Sequence, residues 1–144
     1  MITVEKLLSI KGNQSWHIDP EATVYEALQL MSDKEIGAIL VLEEGKVVGI
    51  FTERDYARKL ILKGKFSKDT AVRELMTQNV LYVVSENTID ECMHLMTNNR
   101  VRHLPVLDHG KIAGIVSIGD IVKHIISEQE STIAQLEKYI TGGY

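Results

Sequence analysis

The spacing of apolar and polar residues changes along the chain in the same way twice, first with a helical period and then with two short strand-like runs. Apolar residues recur at intervals of three and four over residues 24–31 and again over 89–96, which predicts two amphipathic helices. Thr23 and Thr88 stand just before these segments as N-caps. Each helix is followed by two short β-branched and apolar runs around a polar turn with a glycine, a pattern typical of a β-hairpin. The hairpin strands are predicted at residues 38–42, 47–51, 103–107 and 112–116.

The two halves of the chain are copies of one unit. At an offset of 65 and without a gap, the first copy aligns with the second over two segments, 22–31 with 87–96 and 41–50 with 106–115. A shorter echo of residues 4–9 at 72–77 has an offset of 68, so the first copy holds three extra residues near Gly12. We therefore expect one module over residues 1–144, with a first repeat at 1–66 and a second repeat at 67–144.

Each copy has the predicted order β-α-β-β-α. A short strand near residues 16–18 or 81–83 precedes the first helix, and a second helix begins at Thr52 or Ser117. A three-stranded sheet with helices on one face leaves apolar surface uncovered, so the two copies are expected to pack through their sheets by a pseudo-two-fold. The expected fold class is α+β.

The last helix carries an apolar stripe that is longer than the repeat requires. After Asp120 the stripe continues through Ile121, Ile125, Ile133, Leu136 and Ile140. The simpler expectation is that this helix packs back on its own domain, and the alternative is a contact between two copies of the chain. A homodimer is thus among the expected assemblies.

Composition excludes several classes of protein. The 144 residues are 44% hydrophobic, which allows a core without disulfides or a structural metal. The lone Cys92 lies on the apolar face of a helix and fits a reducing compartment, and no long apolar run resembles a membrane span or a leader, so we expect a cytoplasmic protein. The net charge of −4 and the 6% of aromatic residues disfavour nucleic acid, although basic residues cluster over 54–68. No histidine spacing suggests a metal site, and no catalytic motif suggests an enzyme.

A second doubled feature has the form Gly-x-x-[Ser/Thr]-x-x-Asp, at residues 49–55 and 114–120. It stands where a strand turns into a helix, and one reading is a capping box that only satisfies backbone N–H groups. The other reading is a ligand site, because exposed N–H groups suit a phosphate and the carboxylate can accept both hydroxyls of a ribose. Its recurrence at equivalent places favours two ligand sites in the cleft between the copies.

These features together resemble a known family. The doubled unit, its two Gly-x-x-[Ser/Thr]-x-x-Asp motifs and the run Arg-His-Leu-Pro-Val at 102–106 are similar to the tandem cystathionine β-synthase (CBS) domain pair, or Bateman module, of the stand-alone prokaryotic type. The resemblance implies a regulatory module that needs no cofactor. It would bind AMP above all, or ATP, NAD(H) or S-adenosylmethionine, between its repeats and signal to a partner protein that the sequence does not identify.

The resemblance also implies roles for particular residues. Asp55 and Asp120 would accept the ribose hydroxyls, and Thr52 and Ser117 would lie at the ribose-phosphate region. Adenine would lie between the apolar side chains of Leu104, Pro105 and Ile118. Phosphate would be bound by Arg102 and His103.

The first copy departs from this pattern. Gly37 and Ala38 stand where the second copy has Arg102 and His103, and Leu40 replaces Pro105. Any phosphate charge at the first site would come from Arg54 or Arg58. The two sites are therefore expected to be unequal. The alternative function is a ligand-free oligomerisation or adaptor module in which both motifs act only as helix caps.

Overall fold

The computed structural model describes residues 1–141 and contains the repeated order of elements. The first copy comprises α1 (Val4–Lys11), β1 (His17–Ile18), α2 (Val24–Lys34), β2 (Ala38–Glu43), β3 (Lys46–Thr52) and α3 (Glu53–Asp55), which continues as a π-helical turn (Tyr56–Leu60) and a 3-10 turn (Ile61–Lys63). The second comprises α4 (Val72–Leu75), α5 (Ile89–Asn99), β4 (His103–Asp108), β5 (Lys111–Ser117) and α6 (Ile118–Thr141). The predicted α+β class is confirmed.

Local sequence explains where the main elements begin and turn. Thr23 and Thr88 each accept a hydrogen bond from the N–H three residues later, in a complete capping box with a glutamate. Both hairpins turn through two consecutive residues with positive φ, the second of which is Gly45 or Gly110 at φ 78°. This is the type I′ turn that matches the twist of two paired strands.

The two sheets differ in their first strand. In the first repeat β1 pairs in parallel with β2, and the N–H of Leu40 donates to the carbonyl of Trp16 at 3.2 Å. In the second repeat Pro105 takes the place of Leu40 and has no N–H to donate. The prediction of a strand at residues 81–83 is therefore wrong. An isolated β-bridge between Val83 and Val106 stands in its place.

Two helices are exchanged between the repeats. The start of α1 is bound to the start of α5 by a pair of backbone hydrogen bonds, Val4 N–H to Asn87 at 2.7 Å and Ile89 N–H to Ile2 at 3.0 Å. The start of α4 is bound to α2 of the first repeat in the same way, through a bridge between Thr23 and Ala71. Apolar residues of α1 lie in the core of the second repeat, and those of α4 in the core of the first.

Two glycines allow these exchanged helices to lie close to the strands. At Gly114 on β5, a Cβ atom would lie 2.9 Å from the side chain of Leu8. At Gly49 on β3, a Cβ atom would lie 2.6 Å from the sulfur of Met76. The glycine of each doubled motif is thus required for the close packing of a helix on a strand.

The boundary between the two repeats, which the sequence places between residues 66 and 67, stays a prediction.

The repeats meet through the faces of the sheets that point away from these cores. Ala38, Leu40 and Ile50 form a buried cluster on the first sheet, against which Ile112 and Ile115 of β5 pack. The expected packing through the sheets is confirmed.

The last helix runs beyond the body of the protein. Ile121 is fully buried and Ile125 packs against the second core, whereas Ile133, Leu136 and Ile140 are 54%, 55% and 79% exposed. The expectation that the whole stripe packs back on its own domain is therefore wrong. The 24-residue helix is longer than the sheet it covers, so its second half has no surface within residues 1–141 to bury against.

Candidate functional site

The strand register places the polar residues of the doubled motif at the junction between repeats. Residues directly opposite each other in an antiparallel pair share a face of the sheet. Thr52 lies opposite Ala38, on the face that holds Leu40 and Ile50. Ser117 lies opposite His103, on the face that holds Pro105 and Ile115. Both hydroxyl residues thus end a strand on the inter-repeat face.

Asp55 is fully engaged by the protein. Its Oδ2 accepts hydrogen bonds from the N–H and the hydroxyl of Thr52, at 3.0 and 3.1 Å. Its Oδ1 accepts from the hydroxyl of Thr77 at 3.2 Å and lies 2.9 Å from Nζ of Lys59. The residue is only 6% exposed. Both carboxylate oxygens are therefore occupied, and a ligand at this position would have to displace Thr77 or Lys59.

Asp120 is more accessible and less fully engaged. Its Oδ2 accepts from the N–H of Ser117 at 2.9 Å and lies 2.9 Å from Nζ of Lys11. Within residues 1–141 no protein donor contacts its other oxygen, Oδ1. The side chain is 26% exposed. This carboxylate can accept a further hydroxyl without giving up a bond.

Lys11 explains the electrostatic state of Asp120. Burial alone would raise the pKa of this carboxyl, but the hydrogen bonds from Lys11 and Ser117 and the charge of Lys11 outweigh it, so the pKa lies below its usual range. The carboxylate is thus ionised at neutral pH, in the form that accepts hydrogen bonds from hydroxyl groups.

Part of the difference between the two carboxylates lies where the first copy has three extra residues. Thr77 exchanges backbone hydrogen bonds with Ile50 and also donates its hydroxyl to Asp55. At the equivalent place, Nζ of Lys11 donates to the carbonyl of Ile115 at 2.7 Å and also pairs with Asp120. A lysine side chain thus replaces a backbone N–H and a hydroxyl. Sequence reasoning missed Lys11, Lys59 and Thr77, although the change of offset from 65 to 68 marked the place.

His103 lies close to both repeats. Its imidazole is 3.6 Å from the position that a Cβ atom on Gly37 would take, and the carboxyl carbon of Glu53 is 3.7 Å from the same position. Burial lowers the pKa of His103; the charges of Asp120 and Glu53 act to raise it, and those of Arg102 and Lys11 act to lower it further. Both cationic and acidic groups therefore lie near His103 at this edge of the cleft.

The arginines expected to meet phosphate lie at different places. Arg102 and Arg58 are exposed. Arg54 donates from Nη1 to the carbonyl of Arg100 at 2.8 Å, which ties α3 to the end of α5 in the other repeat. One N–H group of Arg54 therefore forms a bond between the repeats in this structure.

The residues expected to enclose adenine lie on two sides of the second sheet. Leu104 is fully buried in the second core, so its side chain supports β4 from behind. Pro105 shares the inter-repeat face with Ile115. Ile118 is partly buried against the second core, and its N–H donates to the carbonyl of Arg102 at 2.9 Å. Of the three, the strand register puts Pro105 on the face turned toward the first repeat.

An open depression adjoins this region on the side of the first repeat. It has a volume of about 350 Å³ and is lined by Leu28, Met31, Ser32, Glu35, Ile36, Gly37 and Glu53. Gly37 and Glu53 connect it to the neighbourhood of His103. In the part of the chain that the structure describes, no group of His, Cys, Asp and Glu side chains is placed to hold a metal ion. None of the helices in residues 1–141 is long and apolar enough to cross a membrane.

Comparison with known proteins agrees with this architecture. The sequence model of the CBS domain family matches residues 14–62 and 72–127. The chain therefore belongs to the CBS domain family and contains a tandem pair. It is 38% identical to the mitochondrial CBS domain-containing protein CBSX3 of Arabidopsis thaliana, over 99% of this chain and 73% of that protein. It is 51% identical to the solved CBS domain structure NE2398, which superposes with a TM-score of 0.84 over 87% of this chain and 98% of that one.

A more distant structure shares the fold. The CBS domain pair of protein MJ0100, solved in complex with 5′-methylthioadenosine and S-adenosyl-L-methionine, is 24% identical with a TM-score of 0.79, over 89% of this chain and 98% of that one. The family matched is one of regulatory modules rather than of catalytic domains.

Proposed function

We propose that this chain is a non-enzymatic regulatory module that binds an adenosyl ligand at the Asp120 side of the cleft and signals its level to a partner protein. The observation that carries the proposal is the free oxygen of an ionised carboxylate on the inter-repeat face, beside Ser117. A ribose offers two hydroxyl donors, and a carboxylate is the usual acceptor for them.

The charges near Asp120 favour a phosphate-bearing ligand. Lys11 and Arg102 bring positive charge close to His103 at this end of the cleft, and basic side chains are the usual partners of phosphate. AMP is the first candidate, with ATP and NAD(H) next. S-adenosylmethionine carries a cationic sulfonium and fits these charges less well, although the MJ0100 pair was solved with it.

The Asp55 side supports a different role. Both of its oxygens are satisfied within the protein, which is what a helix cap requires. This favours the second candidate, a ligand-free adaptor, if the Asp120 side behaves in the same way. It also supports unequal sites, with Asp120 filled first.

Calorimetry and thermal shift with AMP, ATP, NADH, S-adenosylmethionine and 5′-methylthioadenosine test the proposal. A ligand present at about 100 times its Kd stabilises the folded chain by about 2.7 kcal/mol. We expect Asp120→Asn to abolish this gain, because the amide keeps the shape of the cap but loses the charge. The exposed Asp69→Asn is the matched control and should keep it. If no ligand in the panel binds the unaltered chain, the adaptor function replaces the proposal.

The cellular setting belongs to the same proposal. A single buried thiol, Cys92, suits the reducing cytoplasm, and the Arabidopsis relative is named as mitochondrial. The regulated partner would contact a surface whose shape depends on how the two repeats pack, since the ligand would lie between them.

A further inference from the structure

The exposed half of α6 has a heptad repeat. From Val122 onward, six positions alternate at intervals of four and three, and all but Gln129 are apolar. This is the 3.5-residue period of a coiled coil rather than that of a helix on a globular core. The first core position of each heptad is isoleucine at 126, 133 and 140, and the second is Val122, Gln129 and Leu136. We call these six positions the seam.

The seam is uncovered in the single chain. Its five apolar side chains are between 46% and 79% exposed. The twenty residues from Val122 to Thr141 span about 30 Å of helix. Two such seams would bury on the order of 1,000 Å² of surface, which is the size that a specific protein interface requires.

We propose that the seam is a dimerisation surface and that its partner is the same helix of a second copy of this chain, parallel and in register. The first core positions are all isoleucine, and a β-branched residue there favours two parallel strands when the second position is leucine, as it is at Leu136. A depression of about 350 Å³ lies on this face, lined by Ile125, Glu128, Gln129, Thr132 and Ile133. Three of these, Gln129, Thr132 and Ile133, belong to the set of four that would receive an isoleucine knob from the second helix.

Gln129 selects the parallel arrangement. In a parallel pair in register, each core residue meets its own copy, so the two Gln129 amides can donate and accept hydrogen bonds with each other. In an antiparallel pair, first and second core positions face each other, and the amide would meet an isoleucine. A buried amide without a partner is costly, so the antiparallel pair is disfavoured.

The flanking charges agree with this choice. The glutamates beside the seam, Glu130 and Glu137, would lie next to Ile125 and Thr132 of the second helix in a parallel pair, without a like charge opposite. In the antiparallel pair that overlaps the whole seam, Glu130 would lie next to its own copy.

Sedimentation equilibrium of the full chain tests the proposal. The expected mass at micromolar concentration is twice the 16.2 kDa of the chain. Ile133→Glu should give a monomer with unchanged near-ultraviolet circular dichroism, and Ser131→Glu, on the opposite face of the helix, should stay dimeric. A monomeric unaltered chain, or a dimer that survives Ile133→Glu, overturns the proposal.

Cysteine cross-linking tests the direction of the pair. Under mild oxidation Ile133→Cys should form a disulfide-linked dimer, because equivalent core positions meet in a parallel pair. Ser131→Cys and the unaltered chain, whose only thiol is buried, give the background. Cross-linking that appears only when Ile126→Cys and Leu136→Cys chains are mixed would show an antiparallel pair and overturn the parallel one.

Discussion

Removal of the Lys11 ammonium tests whether the first helix and the last repeat are joined through Asp120. Lys11→Met keeps most of the aliphatic stem and removes the charge. The ammonium makes two contacts, at 2.9 Å to Asp120 and at 2.7 Å to the carbonyl of Ile115. The lysine and aspartate side chains are 25% and 26% exposed, so solvent screens the pair only in part.

The magnitude follows from these contacts. A hydrogen bond to a charged group is worth about 1.5–3 kcal/mol, and the quarter exposure together with the regained hydration of the lysine reduces the net effect. We expect Lys11→Met to lower the free energy of unfolding by about 1–2 kcal/mol at pH 7. Urea denaturation followed by circular dichroism measures this difference. Lys6→Met, at an exposed position of the same helix, should change the free energy by less than about 0.5 kcal/mol.

The pH dependence distinguishes this pair from a simple loss of packing. The pKa of Asp120 is lowered in the folded chain, so the stability it contributes is present in full above the unfolded pKa of about 3.9 and is lost as pH falls through the lower folded value. The difference between the unaltered chain and Lys11→Met should therefore shrink below about pH 4. A difference that is independent of pH, or equal to that of Lys6→Met, would refute the role given to Lys11.

Two further predictions concern buried positions. Gly114→Ala should lower the free energy of unfolding by about 1–3 kcal/mol, because the new methyl group would lie 2.9 Å from Leu8. In a double-mutant cycle with Leu8→Ala, measured by urea denaturation, the double variant should lose less stability than the sum of the two single losses. Strict additivity would contradict the contact. Burial raises the pKa of the Cys92 thiol to about 11. A thiol reagent at pH 8 should therefore label Cys92 only as fast as the chain unfolds. Rapid labelling of the native chain would instead show an accessible thiolate and contradict this burial.

The sequence predicts the repeated units because their signals are local. Thr23 and Thr88 as caps and the glycines of the hairpin turns each act within a few residues. The helix exchange was not predictable from the pattern, since the similarity of residues 4–9 to 72–77 does not say which sheet each helix covers. The loss of the strand at 81–83 followed from one missing N–H at Pro105.

The candidate site was predicted in its residues and only partly in its geometry. Asp55 and Asp120 are identical in sequence pattern, yet one is sealed by Lys59 and Thr77 and the other is bound by Lys11 from the first helix. Such partners are distant in the chain, so no local spacing identifies them. Leu104 lies in the core because helices cover its face of β4. The alternation of side chains along the strand does not say which face the helices cover.

The exchange of helices between the repeats affects the order in which the elements can pack during synthesis on the ribosome. Leu8 leaves the ribosome early, but Gly114, against which it packs, is made 106 residues later. At a synthesis rate of about 5–20 residues per second, the first helix waits roughly 5–20 s without its docking surface. The first repeat, by contrast, is covered by α4 of the second repeat, which emerges soon after it. The first helix therefore cannot complete its packing until β5 has been made, although it is synthesised long before that strand.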